Sequence, residues 1–419
     1  MSKNLFIGID GKARKAKKFY IGVDGKAREI VKAYIGDENG KARSFWEKDN
    51  TPITDSLEFV SDNSFTMNTT KTWDGTLEYN NGNGWTTWNG SQINSNAIDG
   101  RQRIYFRGSR NTVIRRQNSS ESNAWKITGS NVECNGNIEY LLDYQKVAAG
   151  EHPEMGTYCY RYMFYGCSSL TTAPELPATT LANNCYQGMF SGCSSLTTAP
   201  ELPATTLASD SYESMFVGCS SLIIAPELPA TTLAHGCYRG MFRNCSKLTT
   251  APELPATTLP QNSFDKLWGV YTDMFSGCVS LTKAPTILPA TILTKGCYNG
   301  MFSNCSKLTT APKLPATTLA DSCYDNMFIH CVNLVNIPNL PATTLPKYSY
   351  FAMFKNCPKI KPATTQSDDY PTPYRIPTTG TGTAQDSSMK DMFSSITGVN
   401  VAFSINTTYY LPKGASIIS

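Results

Sequence analysis

Cys185-Tyr-Gln-Gly-Met-Phe-Ser-Gly-Cys-Ser-Ser-Leu-Thr-Thr-Ala-Pro-Glu-Leu-Pro-Ala-Thr-Thr-Leu-Ala208 is one copy of a pattern that recurs through most of the second half of the chain. Its Met-Phe pair falls at Met163, Met189, Met215, Met241, Met274, Met301, Met327, Met353 and, after a diverged stretch, Met392, in steps of 26, 26, 26, 33, 27, 26, 26 and 39. A repeat this short cannot bury its own apolar residues, so successive copies must stack and share one core. The pattern predicts a solenoid. Function then belongs on a surface.

Within the copy, Cys185, Met189 and Cys193, and beside them Tyr186 and Phe190, recur at i, i+4. That spacing predicts one inward face of a short helix. Asn183 and Asn184 are its expected caps, and Gly192 stands near its end, where a positive φ is useful. Pro174 and Pro177 lack an N–H, so they cannot sit in a ladder that bonds coil to coil. Any strand is therefore short, about residues 169–173.

Leu170, Leu176, Leu181, Phe190, Cys193 and Leu196, in that order, carry a resemblance. The array resembles the BspA-like leucine-rich repeat family, in the long Met-Phe variant common in proteins of gut bacteria and their phages. The resemblance covers about half of the chain. It implies a leucine-rich-repeat-like solenoid used for adhesion or surface recognition, with no catalysis and no cofactor.

Composition sets bounds. The chain has 419 residues, enough for two or three domains, and only 17% are charged. The formal net charge is +4, yet residues 1–49 hold 12 Lys/Arg against 7 Asp/Glu, leaving 25 against 26 in the remainder. Nucleic-acid binding by the solenoid is disfavoured. No apolar run approaches the ~18 residues of a membrane span. The start MSKNLFIGIDGKARKAKK lacks the apolar core of a secretory signal, which disfavours the general export route.

Of the 14 cysteines, all but Cys134 fall in two columns of the repeat. The first runs Cys159, Cys185, Ser211, Cys237, Val270, Cys297, Cys323, Ser349; the second is unbroken from Cys167 to Cys357. Ser and Val replace Cys freely in the first, as suits a small packed residue and not a bridge partner. Reduced, buried thiols are expected. No zinc set is formed with His152, His235 and His330, which are scattered.

The N-terminus repeats on its own period. Phe6-Ile-Gly-Ile-Asp-Gly-Lys-Ala-Arg14, Tyr20-Ile-Gly-Val-Asp-Gly-Lys-Ala-Arg28 and Tyr34-Ile-Gly-Asp-Glu-Asn-Gly-Lys-Ala-Arg43 each place an Asp-Gly or Asn-Gly turn between short apolar runs. Small β-hairpins are predicted. They are too small to hold alone and are expected to be ordered by a partner or by homotrimerisation. Similar YIGVDGKAR units open many phage and prophage structural proteins, which implies attachment to other virion proteins through Lys12, Arg14, Lys26, Arg28, Lys41 and Arg43. The alternative is a flexible basic linker.

Residues 51–147 alternate in short apolar runs separated by Asn, Gly, Ser and Asp, the pattern of a β-sandwich. Trp73, Trp85 and Trp88 are sugar-stacking candidates, Trp85 and Trp88 foremost, against core packing as the alternative. Between Met241 and Met274 seven extra residues form an insertion, and insertions in solenoids become loops, often on the binding face. Asp265, Lys266, Trp268 and Tyr271 are the contact candidates there. Glu175, Glu201, Glu227 and Glu253 share a column, expected to be a solvated face, with a cation-binding ridge as the alternative.

The expected fold is mainly β with short helices: hairpin repeats over 1–50, a β-sandwich over 51–147, a solenoid of 26-residue coils over 148–365 and a C-terminal cap over 366–419. Phe393, Ile396 and Phe403 are expected to pack that cap on the coil bearing Cys357. The expected function is that of a phage virion protein, a head or tail fibre or decoration, binding a host-surface protein or glycan. A bacterial cell-surface adhesin is the alternative, and a polysaccharide-cleaving tailspike comes last.

Overall fold

In the computed structural model, rings of the repeat lie over one another along the whole array. Phe190 stacks 5.6 Å from Phe164 and 5.6 Å from Phe216, and the file continues through Phe242, Phe275, Phe302 and Phe328 to Phe354. A second file runs from Tyr160 through Tyr186, Tyr212, Tyr238, Tyr271, Tyr298 and Tyr324 to Tyr350. Both are buried, together with the methionine and cysteine columns. Each such side chain contributes about 1.5–3 kcal/mol by burial, and all of that depends on the neighbouring coil. The structure describes residues 53–70, 72–114, 124–261, 269–395 and 402–418, together with the backbone of six strands before them.

The inward-facing residues are those expected, but the element is not a helix. Asn184, Gly188 and Gly192 take φ of 57°, 60° and 79°, so every fourth residue is left-handed. The N–H groups of Tyr186, Gly188, Phe190 and Gly192 donate to the carbonyls of Ser211, Glu213, Met215 and Val217 in the next coil, at 2.7–3.0 Å. The residues between turn back on their own coil, Met189 N–H to Tyr186 and Cys193 N–H to Phe190. The segment is a train of four-residue turns. A four-residue turn and a 3.6-residue helix share the i, i+4 spacing, so the apolar pattern does not separate them. The helix would spend its donors internally and leave the next coil unbonded. Asn184 is accordingly a left-handed turn residue and not a cap.

The rest of each coil is nearly ladder-free. Parallel single-residue bridges link Thr172, Thr198, Ile224, Thr250 and Lys283, and a separate bridge joins Thr206 to Thr232. Pro174 and Pro177 stand outside these bridges, as their missing N–H requires.

The chain divides into two compact units, 1–54 and 55–419. The first contains three separate antiparallel hairpins: β1 (Phe6–Ile9) with β2 (Lys12–Lys15), β3 (Tyr20–Val23) with β4 (Lys26–Glu29), and β5 (Lys32–Gly36) with β6 (Ala42–Glu47).

The second unit begins with two sheets. β7 (Leu57–Ser61), β9 (Thr76–Asn80), β10 (Thr86–Thr87), β12 (Asn96–Ile98), β13 (Arg101–Ser109) and β15 (Val132–Asn135) share one sheet with β16 (Leu170–Thr172) of the first coil. A smaller sheet holds β8 (Thr66–Asn68), β11 (Ile93–Asn94) and β14 (Lys126–Thr128). The sandwich therefore runs straight into the solenoid: β15 pairs parallel with β16, and Phe59 and Trp125 pack on Phe164. The only α-helix among the described residues, α1 (Tyr140–Ala148), lies on β13 at Gly108, where a Cβ would come within 1.7 Å of the Leu141 carbonyl oxygen.

At the far end the last coil is shortened after Cys357, and later residues fill the missing rungs. β17 (Asn336–Pro338) pairs parallel with β22 (Ser416–Ile418), and β18 (Thr344–Leu345) with β20 (Thr383–Ala384). β19 (Thr372–Arg375) and β21 (Thr408–Leu411) form an antiparallel pair, with β20 between them in sequence. Phe393 stacks 5.2 Å from Phe354 and is followed by Phe403 and Tyr409, so the aromatic file closes inside the cap. Ile396 lies outside the described residues.

Candidate functional site

Two kinds of surface surround the core. On the ladder side most coils expose threonine pairs, such as Thr197–Thr198 and Thr205–Thr206. Some of these hydroxyls tie coils together, Thr282 Oγ1 donating to the Thr249 carbonyl at 3.1 Å. The column of Glu175, Glu201, Glu227 and Glu253 is exposed, and the Glu253 carboxylate accepts from Thr286 N–H at 3.0 Å.

The turn side carries more chemistry. At several left-handed positions the side chain lies along the axis against a glycine of the next coil. Tyr162 covers Gly188, Asp210 covers Gly236, Asn244 covers Gly277 and Asp273 covers Gly300. Beside them, Gln187 Nε2 donates to Glu213 Oε2 at 2.6 Å, and Arg239 pairs with the other Glu213 oxygen. Burial raises the Glu213 carboxyl above its ordinary value, and Arg239 opposes the shift. Asp325 is pushed up to about 6 by burial, opposed by its hydrogen bond with Asn299. The thiols are inert: burial drives Cys185 and Cys219 up to about 12.

Aromatic clusters stand at both ends of this turn side. In the first coil Tyr162 meets Tyr165 edge to face at 5.7 Å, and the Arg161 guanidinium lies 5.2 Å from the Tyr158 ring and 5.0 Å from Tyr162. In the coil of Met353, Tyr348 meets Phe351 at 5.6 Å and Lys347 Nζ sits 5.2 Å over the Tyr348 ring. Tyr165 and Tyr348 are each 36% exposed. The sequence reading missed these residues. Their signal is the column: Tyr158 and Tyr348 stand where other coils hold Asn184, Asp210, Gly236, Gly269, Gly296 and Ser322.

The predicted contact residues do not form one site. Trp88 is 2% exposed, stacked on Trp73 at 5.4 Å with its Nε1 donating to the Ser91 carbonyl, so it packs the sandwich core and offers no face to a sugar. Trp85 is half-buried, with the Arg107 guanidinium 4.0 Å over its ring. Arg107 also lies over Tyr144 and pairs with Glu78 at 2.8 Å. Tyr271, 1% exposed, is a member of the tyrosine file and not a loop residue. Asp265, Lys266 and Trp268 lie outside the described residues, as does Lys41. Lys12, Arg14, Lys26, Arg28 and Arg43 fall on hairpin strands.

Two hollows at the cap, of about 420 and 260 Å³, each bring in a single Lys or Arg, Lys390 in one and Arg375 in the other. Among the described residues no three His, Cys, Asp or Glu side chains gather in a metal-binding group, and no helix is long and apolar enough to cross a membrane.

The family model of the BspA type leucine rich repeat region matches residues 144–267 and 242–361, in six copies. The chain belongs to the BspA-type leucine-rich repeat family. This places it among repeat proteins of the surface-adhesin type, whose repeats typically bind or scaffold. No curated protein and no solved structure matches the chain significantly.

Proposed function

We propose that this member of the BspA-type repeat family is a phage virion structural protein, a fibre or decoration of head or tail. Residues 1–50 attach it to other virion proteins, and the solenoid presents a binding surface to the host or its glycans. The observation that carries the reading is the N-terminal unit. Its three hairpins are two-stranded sheets of their own, a size that gains order from partners, and residues 1–49 carry all of the chain's excess positive charge. Their resemblance to the repeats that open phage structural proteins points to the particle as that partner.

A second observation favours the virion over the alternative, a secreted bacterial adhesin. All 14 cysteines are free and buried. Disulfides form in oxidising compartments, so a chain with this many unpaired thiols folds best in a reducing cytoplasm. A virion protein is made there and leaves by lysis.

The experiment is deletion of residues 1–49 followed by mass spectrometry of purified particles. The truncated chain is expected to be folded and soluble but absent from virions. Incorporation at normal copy number overturns the attachment role, and absence of the full-length chain from particles favours the cell-surface adhesin.

A further inference from the structure

Resting on that reading of the solenoid as the binding surface, we propose that the tyrosine clusters at its two ends are paired contact posts for an extended acidic glycan. Three observations converge on them.

The first is conformational. Tyr158, Tyr162 and Tyr348 take φ of 65°, 52° and 59°. The left-handed region is unfavourable for any residue with a Cβ and most unusual for a bulky one. Other coils meet the same demand with Gly236, Gly296 and Gly300, or with Asn184 and Ser322. Tyrosine is the costly choice at these columns. Burial offsets least of that cost at Tyr348, which is exposed; Tyr158 is half-buried, and the half-buried Tyr162 ring lies over Gly188 of the next coil. Strain retained at a surface position is the mark of a site kept for something other than folding.

The second is chemical. Each post sets a tyrosine ring beside a cation, Arg161 in one and Lys347 in the other. An aromatic face suits the C–H surface of a sugar ring. A neighbouring guanidinium or ammonium suits a carboxylate or sulfate carried on that sugar.

The third is spatial. Tyr158 and Tyr348 occupy the same column of the repeat, seven coil steps apart. The adjacent tyrosine file steps 5.5–6.1 Å from coil to coil, so the posts stand about 40 Å apart along it. Only an extended chain engages both, and a chain that does so gains from a high effective concentration at the second post.

The test uses the full chain and three immobilised surfaces: a sialylated and sulfated mucin, the same mucin after sialidase and desulfation, and the same mucin stripped of all glycans. The wild-type chain is expected to bind the first and to lose most of its affinity on the other two. Tyr348→Gly and Tyr158→Gly should each lower affinity on the order of tenfold. Both should melt at the same temperature as wild type or higher, because glycine relieves the strain. Tyr348→Phe should retain binding. Equal binding by the glycine variants overturns the proposal, as does a binding loss that accompanies a lower melting temperature. Undiminished binding to stripped mucin indicates a protein partner and overturns it too, as does failure of the wild-type chain to bind intact mucin. If virions carrying the glycine variants still adhere to host cells at wild-type levels, the posts fail while the virion reading stands.

Discussion

The thiol of Cys193 donates to the carbonyl of Phe164 in the preceding coil, 3.1 Å away. The same bond recurs from Cys219 to Phe190, Cys245 to Phe216, Cys278 to Phe242, Cys305 to Phe275, Cys331 to Phe302 and Cys357 to Phe328. This explains why the second cysteine column is unbroken and the first is not. In the first column Cys297 Sγ lies 3.9 Å from the Cys323 carbonyl, too far to contribute much, and Ser211 and Val270 replace cysteine there. Cys305→Ala should therefore destabilise the fold by about 0.5 kcal/mol more than Cys297→Ala in the same coil, the worth of one weak S–H···O bond. Chemical denaturation of the two variants measures the difference, and equal losses would show that the column is set by volume alone.

Glycine matters where a coil leaves no room. A Cβ on Gly269 would lie 2.3 Å from the Cys297 Cα and 2.6 Å from its nitrogen, both backbone atoms of the next coil. At Gly218 the nearest atom is 3.9 Å away and only the φ of 71° is unfavourable. Gly218→Ala should lose about 1–2 kcal/mol from backbone conformation. Gly269→Ala should lose clearly more, because coils must separate to admit the methyl group. Thermal unfolding that ranks them in the opposite order would mean the stack deforms readily.

The period of the repeat and the identity of its inward residues were legible because burial columns are written at fixed steps. Cys185, Tyr186, Met189, Phe190 and Leu196 are all buried. What the spacing does not hold is the backbone, because i, i+4 serves both a helix and a four-residue turn. Gly188 inside the segment was the available clue. Tyr271 shows a different limit. Its place next to Val270 put it in the tyrosine file, but proximity to the insertion gave it the look of a loop residue. The binding posts were missed because they depart from a column instead of repeating in one.

Asp325 gives the solenoid a pH dependence. Burial raises its carboxyl to about 6 in the folded chain, against an ordinary value of 3.8. Between those values the folded state binds the proton and the unfolded state does not, so stability falls as pH rises from about 4 to about 6 and levels off above. Asp325→Asn should flatten that part of the profile. Melting temperatures of both proteins across this window, at constant ionic strength, provide the check; an unchanged slope would assign the dependence to other groups, such as the raised carboxyls of Glu213 and Asp273.

The cap makes the sharpest structural demand. Its rungs are out of sequence order, yet they copy the coil they replace. Ser416 N–H donates to the Val335 carbonyl and Asn339 N–H to the Ile418 carbonyl, both at 3.0 Å, while Thr383 N–H donates to the Thr343 carbonyl at 2.8 Å. Beneath them Phe393 covers Phe354, and Phe403 in turn covers Phe393. Truncation after Thr365 would strip both rungs and the aromatic cover, leaving β17 and β18 as open parallel edges beside exposed apolar rings. Open edges and apolar ends are what solenoids cap to stay soluble. The truncated chain is therefore expected to associate through its exposed end, in a concentration-dependent way seen by light scattering. Removal of residues 414–419 alone should expose β17 but keep the aromatic cover, and so give weaker association. A monodisperse chain ending at Thr365 would show that the last complete coil protects itself.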